Sequence, residues 1–120
     1  MTDKIVIRNL RLRTIIGLND WERKKKQDLT INIVIHSDLR ISGHTDNIDD
    51  TVNYKKITKH IIALTESSKY RLLEALASHI ASDIIKIFNL TKVEIKIDKP
   101  HALRFSDSVA VEIVRTKHDY

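Results

Sequence analysis

"DLTINIVIHSDLR", residues 28–40, alternates apolar and polar side chains. Leu29, Ile31, Ile33 and Ile35 fall on one face of an extended chain, with Thr30, Asn32 and His36 on the other. A period of two is the mark of a strand that turns one face to a core and one to water. The same period recurs three times. Ile5 and Ile7 are in phase within "KIVIRNLRLRTIIG" (4–17), with a break in phase expected near Asn9. Val93, Ile95 and Ile97 alternate with Glu94, Lys96 and Asp98, and Val109, Val111 and Ile113 repeat the pattern around Glu112.

Between the second and third of these strands the period changes. Ile57, Ile61 and Leu64 recur at helical spacing across about 52–66, and Leu72, Leu73, Leu76, Ile80, Ile84 and Phe88 do so across about 70–89. Ser67 and Ser68 are expected to cap the second helix at its N-terminus. The order ββααββ predicts an α+β fold, an antiparallel sheet with both helices on one face. The other face carries Asn32, His36, Glu94, Lys96 and Glu112 and is therefore wet. Such a sheet leaves two free edges. Pairing between subunits would close them into a ring of sheets with a polar lumen, and a monomer with blunted edges is the alternative.

The 120 residues suffice for one domain, 1–120, with a core of its own. Two glycines and one proline argue against linkers and low complexity. No apolar run reaches the roughly 18–20 residues of a membrane span, and the chain opens on a strand pattern rather than a signal peptide. The absence of cysteine excludes disulfides, thiolate metal sites and a cysteine nucleophile, and fits a cytoplasmic location. Lysine and arginine exceed aspartate and glutamate by 21 to 16, a net charge of +5 that suits an anionic partner or simply solubility. The six histidines form no H-x-H or H-x-x-x-H pair, so no metal is expected, and all but His101 read as surface residues. Arg23, Lys24, Lys25 and Lys26 form a basic run, joined by Arg8, Arg11 and Arg13. Trp21 is the one aromatic nearby, too few for a single-strand nucleic-acid platform, and the run reads as a solvated loop.

Three further places could carry chemistry. "TDNIDDTVNY" (45–54) is a polar loop entering a helix and ending on Tyr54. It is either an ordinary capping loop or a seat for a polar heterocycle or anion. Glu74, in "RLLEALASHI", is either a surface carboxylate or a buried acceptor for a paired N–H donor. "DKPHALRFSDSV" (98–109) joins two strands yet places Lys99, His101 and Arg104 around the single proline, Pro100, with no glycine or asparagine at its centre. Lys99 is either a strand-end lysine in water or, if partly buried, a base of lowered pKa.

Taken together these residues resemble the dihydroneopterin aldolase and epimerase family, over nearly the whole chain. "IIGLNDWERKKKQ" resembles the family's first loop, with Gly17, Glu22 and Gln27 at its spacing. "DTVNY" resembles its D-T-V-x-Y signature and "LLEALA" its L-L-E-x-L-A helix, and the family lysine falls on Lys99. The resemblance implies the tunnelling fold, with subunit sheets forming a barrel. It also implies a homo-oligomer, an octamer of two stacked tetrameric rings with active sites at subunit interfaces. A small-molecule pterin is the implied substrate, with no cofactor, no nucleic acid and no membrane as partner. Lys99 is then the general acid and base, Tyr54 the proton relay, and Glu22 orients a water or hydroxyl. Glu74 grips the 2-amino and N3–H edge of the pterin, with the backbone around Leu73 and Val52 seating the ring.

"DTVNY" leans toward the aldolases, but "PHALRFSDSV" departs from their "PPIPGH" type of loop and resembles the epimerase branch. The expected reaction is therefore epimerisation at C2′ of dihydroneopterin triphosphate by retro-aldol and aldol steps. The alternative is aldol cleavage to glycolaldehyde and 6-hydroxymethyl-7,8-dihydropterin. A nucleotide- or nucleic-acid-binding module is the non-enzyme alternative. An epimerase must retain the aldehyde it releases, and the triphosphate travels with that fragment. Arg104, helped by His101, is expected to hold the phosphates, with Arg13 as a further candidate.

Overall fold

The computed structural model describes residues 3–120. Four antiparallel strands form one sheet in chain order: β1 (Lys4–Thr14), β2 (Gln27–His36), β3 (Lys92–Pro100) and β4 (Ser108–Thr116). Between β2 and β3 lie a short helix, α1 (Arg40–Thr45), a 3-10 turn at Ile48–Asp50, and two longer helices, α2 (Tyr54–Ser67) and α3 (Leu73–Phe88). The ββααββ order stands, with α1 as an addition. Its six residues bury nothing, so no apolar period marks it.

Leu29, Ile31, Ile33 and Ile35 of β2 and Val93, Ile95 and Ile97 of β3 are fully buried beneath the two long helices. Ile57 and Ile61 of α2 and Leu76, Ile80 and Ile84 of α3 meet them. Burying each such side chain contributes about 1.5–3 kcal/mol, which is what fixes the helices to this face. In β1 the register shifts between Ile7 and Leu10. Asn9 takes a left-handed conformation (φ 54°) there, and its amide donates to Asn32 Oδ1 at 2.9 Å. This bulge moves the inward phase from Ile5 and Ile7 to Leu10, Leu12 and Thr14.

Ser67 and Ser68 do not cap α3. Ser67 is the last residue of α2 and Ser68 its C-cap, while α3 begins after Leu72 with no side-chain cap. The residues between them, Lys69–Leu72, are used as a loop, which displaces the helix start beyond the reach of either serine. Three histidines differ from expectation. His36, packed against Glu94 at 2.6 Å, and His60, which bridges α2 to Asp83 of α3 at 3.0 Å, are half-buried, while His44, His79 and His118 are at the surface as expected. His101 is exposed. No helix among the described residues is long and apolar enough to cross a membrane.

Candidate active site

At one end of the sheet the inward stripe of three strands turns polar. Thr14 ends β1, Gln27 begins β2 opposite it, and Lys99 follows Val93, Ile95 and Ile97 on the buried face of β3. The period that makes the core thus carries a lysine into it. Lys99 is tolerated there because its ammonium meets the carboxylate of Glu22. The two side chains are only 14% and 6% exposed.

Glu22 belongs to the loop between β1 and β2, which folds the carboxylate inward. Asn19 donates to Oε1 from its backbone (3.1 Å) and its side chain (2.8 Å), and Gln27 Nε2 donates to Oε2 at 3.1 Å and to the carbonyl of Ile16 at 2.6 Å. Burial pushes the acid upward. The Lys99, Gln27 and Asn19 hydrogen bonds and the lysine charge outweigh it and hold the pKa at about 2. Glu22 therefore remains an anion and an acceptor near neutrality. Gly17 has φ +124°, and a Cβ there would overlap the Glu22 carboxylate. The glycine is what lets the acid lie against the backbone.

Arg23 is not part of a solvated run. Its guanidinium donates to the carbonyls of Gly17 (3.0 Å), Tyr70 (3.1 Å) and Lys69 (2.5 Å), fastening the Glu22 loop to the α2–α3 connection. Thr14 Oγ1 reaches the same connection through the carbonyls of Thr65 (2.7 Å) and Ser68 (3.0 Å). Leu73 and Glu74 open α3 immediately beyond it, Leu73 buried and Glu74 exposed on the first turn. Glu74 is thus a surface carboxylate within a single chain, on the same side of the molecule as Glu22 and Lys99.

Tyr54 and Val52 are elsewhere. Tyr54 is the first residue of α2 and 53% exposed, and Val52 is half-buried against the core. The other end of α2 is the one tied to Thr14, and 14 residues at 1.5 Å each separate the two ends by about 20 Å. One chain therefore does not bring Tyr54 to its own Lys99. Beyond Lys99, Arg13 and His101 border a surface depression that also reaches Gln27. Arg13 is bridged to Asp28 at 3.1 Å. Arg104 is not among the residues lining that depression; it lies over the ring of Phe105, 5.2 Å from its centroid, on the exposed β3–β4 turn.

Asn19 and Arg23 are the site residues that the sequence did not disclose. Asn19 had a local signal, three residues before the acid it serves. Arg23 was hidden among lysines of the same charge, and only its long-range carbonyl partners separate it from them.

This buried acid–lysine pair, on an antiparallel sheet backed by two helices, has close parallels. The dihydroneopterin aldolase family model matches residues 5–114. The chain belongs to that family, and its fold is the tunnelling fold. It is 38% identical over 109 residues to dihydroneopterin triphosphate 2′-epimerase of Escherichia coli K12, covering 91% of each chain. It is 31% identical over 113 residues to dihydroneopterin aldolase of Haemophilus influenzae, covering 94% of this chain and 96% of the relative. The crystal structure of E. coli dihydroneopterin aldolase in complex with neopterin superposes with a TM-score of 0.91 at 31% identity, covering 95% of this chain and 99% of that one.

Proposed function

We propose that this chain is a dihydroneopterin triphosphate 2′-epimerase with a secondary aldolase activity, acting on a pterin-type small molecule. The observation that carries the assignment of roles is the buried Lys99–Glu22 pair. With Glu22 held as an anion, Lys99 is the group left to exchange protons at the reacting carbon chain, and Glu22 orients it and the substrate hydroxyl. The higher identity to the epimerase than to the aldolase supports the choice between the two reactions.

The reaction begins when Lys99, its ammonium having released a proton to solvent, takes the 2′-hydroxyl proton as the free amine. The C1′–C2′ bond breaks, its electron pair passes through C6 into the ring, and N5 takes a proton. The products are an enamine at C6–C1′ and an aldehyde that carries C2′, C3′ and the triphosphate. Re-forming the bond on the other face of the aldehyde, with return of both protons, gives the 2′ epimer. Protonation of C1′ with loss of the N5 proton instead gives 6-hydroxymethyl-7,8-dihydropterin and releases the aldehyde, which is the aldolase outcome. Glu74 holds the amidine edge of the pterin with both carboxylate oxygens, and Leu73, with Val52 from a second copy of the chain, seats the ring. The depression bordered by Arg13 and His101 faces the phosphates, with Arg104 on the exposed turn outside it.

Tyr54 serves as proton relay from a second copy of the chain. The span of about 20 Å along α2 supports a site shared between subunits, as do the free edges of β1 and β4. We take the assembly to be an octamer of two stacked rings, in which neighbouring sheets continue one another and the Asn32–Lys96–Glu112 face lines the lumen. The test is to supply dihydroneopterin and its triphosphate separately and to separate the products. Accumulation of the dihydromonapterin epimer from the triphosphate is expected. Clean aldol cleavage of the triphosphate with no epimer would overturn the assignment in favour of the aldolase.

A further inference from the structure

We infer that Lys26 determines specificity for the triphosphate, by holding the phosphates of the departing aldehyde in the depression formed with Arg13, Trp21, Gln27 and His101. This rests on the epimerase reading above. The depression and the acid–base pair are contiguous. Gln27 lines the first and donates at 3.1 Å to Glu22 of the second, and Pro100 of the same wall follows Lys99 directly. A substrate whose 2′-hydroxyl meets Lys99 extends C3′ and its phosphates away from the pterin, and this cationic hollow is the adjoining space.

Its charges are not equivalent. Arg13 is already engaged, with Nε 3.1 Å from Asp28 Oδ1 and Nη2 donating to the carbonyl of Lys26 at 3.3 Å. Asp28 also lines the hollow, so this pair offers an incoming anion little net charge. His101 is charged only when protonated. Arg104 stands outside, over the ring of Phe105, a residue 97% exposed on the β3–β4 turn. Lys26 has no carboxylate partner among the described residues. It is the cation whose charge is free. An ammonium on a flexible stem is also suited to a chain of phosphates that moves when the aldehyde turns over, because its three donors need no fixed plane. Trp21, 58% exposed, forms an apolar wall to the same hollow.

The experiment compares kcat/KM for dihydroneopterin triphosphate with that for unphosphorylated dihydroneopterin, in the wild type and in Lys26→Ala and Lys26→Glu. The ratio is expected to fall about tenfold in Lys26→Ala and further in Lys26→Glu, and its dependence on ionic strength to flatten. Inorganic tripolyphosphate, as a competitive inhibitor of the wild type, should weaken by a similar factor in Lys26→Ala. Circular dichroism and size-exclusion profiles matching the wild type establish that the variants are folded, and Lys26→Gln, read by tripolyphosphate inhibition alone, serves should either fail. A wild type that prefers the triphosphate, with a ratio unchanged in both variants, overturns the role of Lys26 and leaves the epimerase reading standing. A wild type with no preference for the triphosphate overturns both.

Discussion

Replacing Glu22 by glutamine keeps the shape of the side chain and removes its charge. The carboxyl of Glu22 is lowered from an ordinary 4.5 to about 2 by Lys99, Gln27 and Asn19 acting against burial. That difference corresponds to about 3 kcal/mol of folding free energy, similar to the roughly 3–5 kcal/mol lost on breaking a buried ion pair. The depressed pKa sets the pH window. Above about pH 5 the carboxylate is ionised in both folded and unfolded chains, and its contribution is complete. Between 4.5 and about 2 the unfolded chain binds the extra proton, so stability falls as pH falls, by up to about 1.4 kcal/mol per pH unit. Below about 2 the contribution is gone. Urea unfolding of wild type and Glu22→Gln at fixed protein concentration, from pH 7 to pH 2.5, measures the difference directly. The wild type should be about 3 kcal/mol more stable at pH 7, and the gap should close as pH drops from 5 toward 2. Asp38, lowered to about 2 by exposed Arg40, titrates in the same range but is common to both proteins and cancels. A gap that stays constant between pH 5 and 2.5 would refute the account of how Glu22 is held.

Other perturbations probe the remaining parts of the site. Gly17→Ala places a Cβ into the Glu22 carboxylate at a positive φ, and a loss of at least about 2 kcal/mol in chemical denaturation is expected, with most of the activity. Arg23→Ala frees three carbonyls and should cost about 2 kcal/mol, with Arg23→Lys recovering less than half because one ammonium cannot span the Gly17, Lys69 and Tyr70 oxygens. Lys99→Ala should lower kcat by about 100-fold or more while leaving the pterin bound, as read by fluorescence titration. Tyr54→Phe and Lys99→Ala, each nearly inactive alone, should regain about a quarter of wild-type activity when unfolded and refolded as an equal mixture, since one site in four then draws both residues from unaltered copies. No recovery in correctly assembled mixed oligomers would show that Tyr54 and Lys99 do not meet across subunits.

The strands and both long helices were legible because each buries one face, and burial imposes a period of apolar residues along the chain. Even the break at Asn9 announced itself, as the point where Ile5 and Ile7 yield to Leu10 and Leu12. The capping of α3 was misread because Ser67 and Ser68 suit either end of a helix, and only the path of Lys69–Leu72 assigns them to α2. Lys99 was legible as a candidate but not as a buried group. Its partner lies 77 residues away in sequence, and an ion pair of that separation leaves no local trace. For the same reason Arg23 passed for a solvated cation beside Lys24, Lys25 and Lys26.

By itself, then, the chain's sequence determined the fold, the family and the chemical types gathered at the site. Hydrophobic period and short motifs are local properties, written at fixed spacing along the backbone. Tertiary structure decided which polar groups share the buried end of the sheet. It decided that Glu22 is an anion there rather than an acid, and that Tyr54 stands at the end of α2 away from Thr14, the helix being about 20 Å long. Those outcomes depend on distance and dielectric between residues far apart in the chain, and such quantities exist only once it has folded.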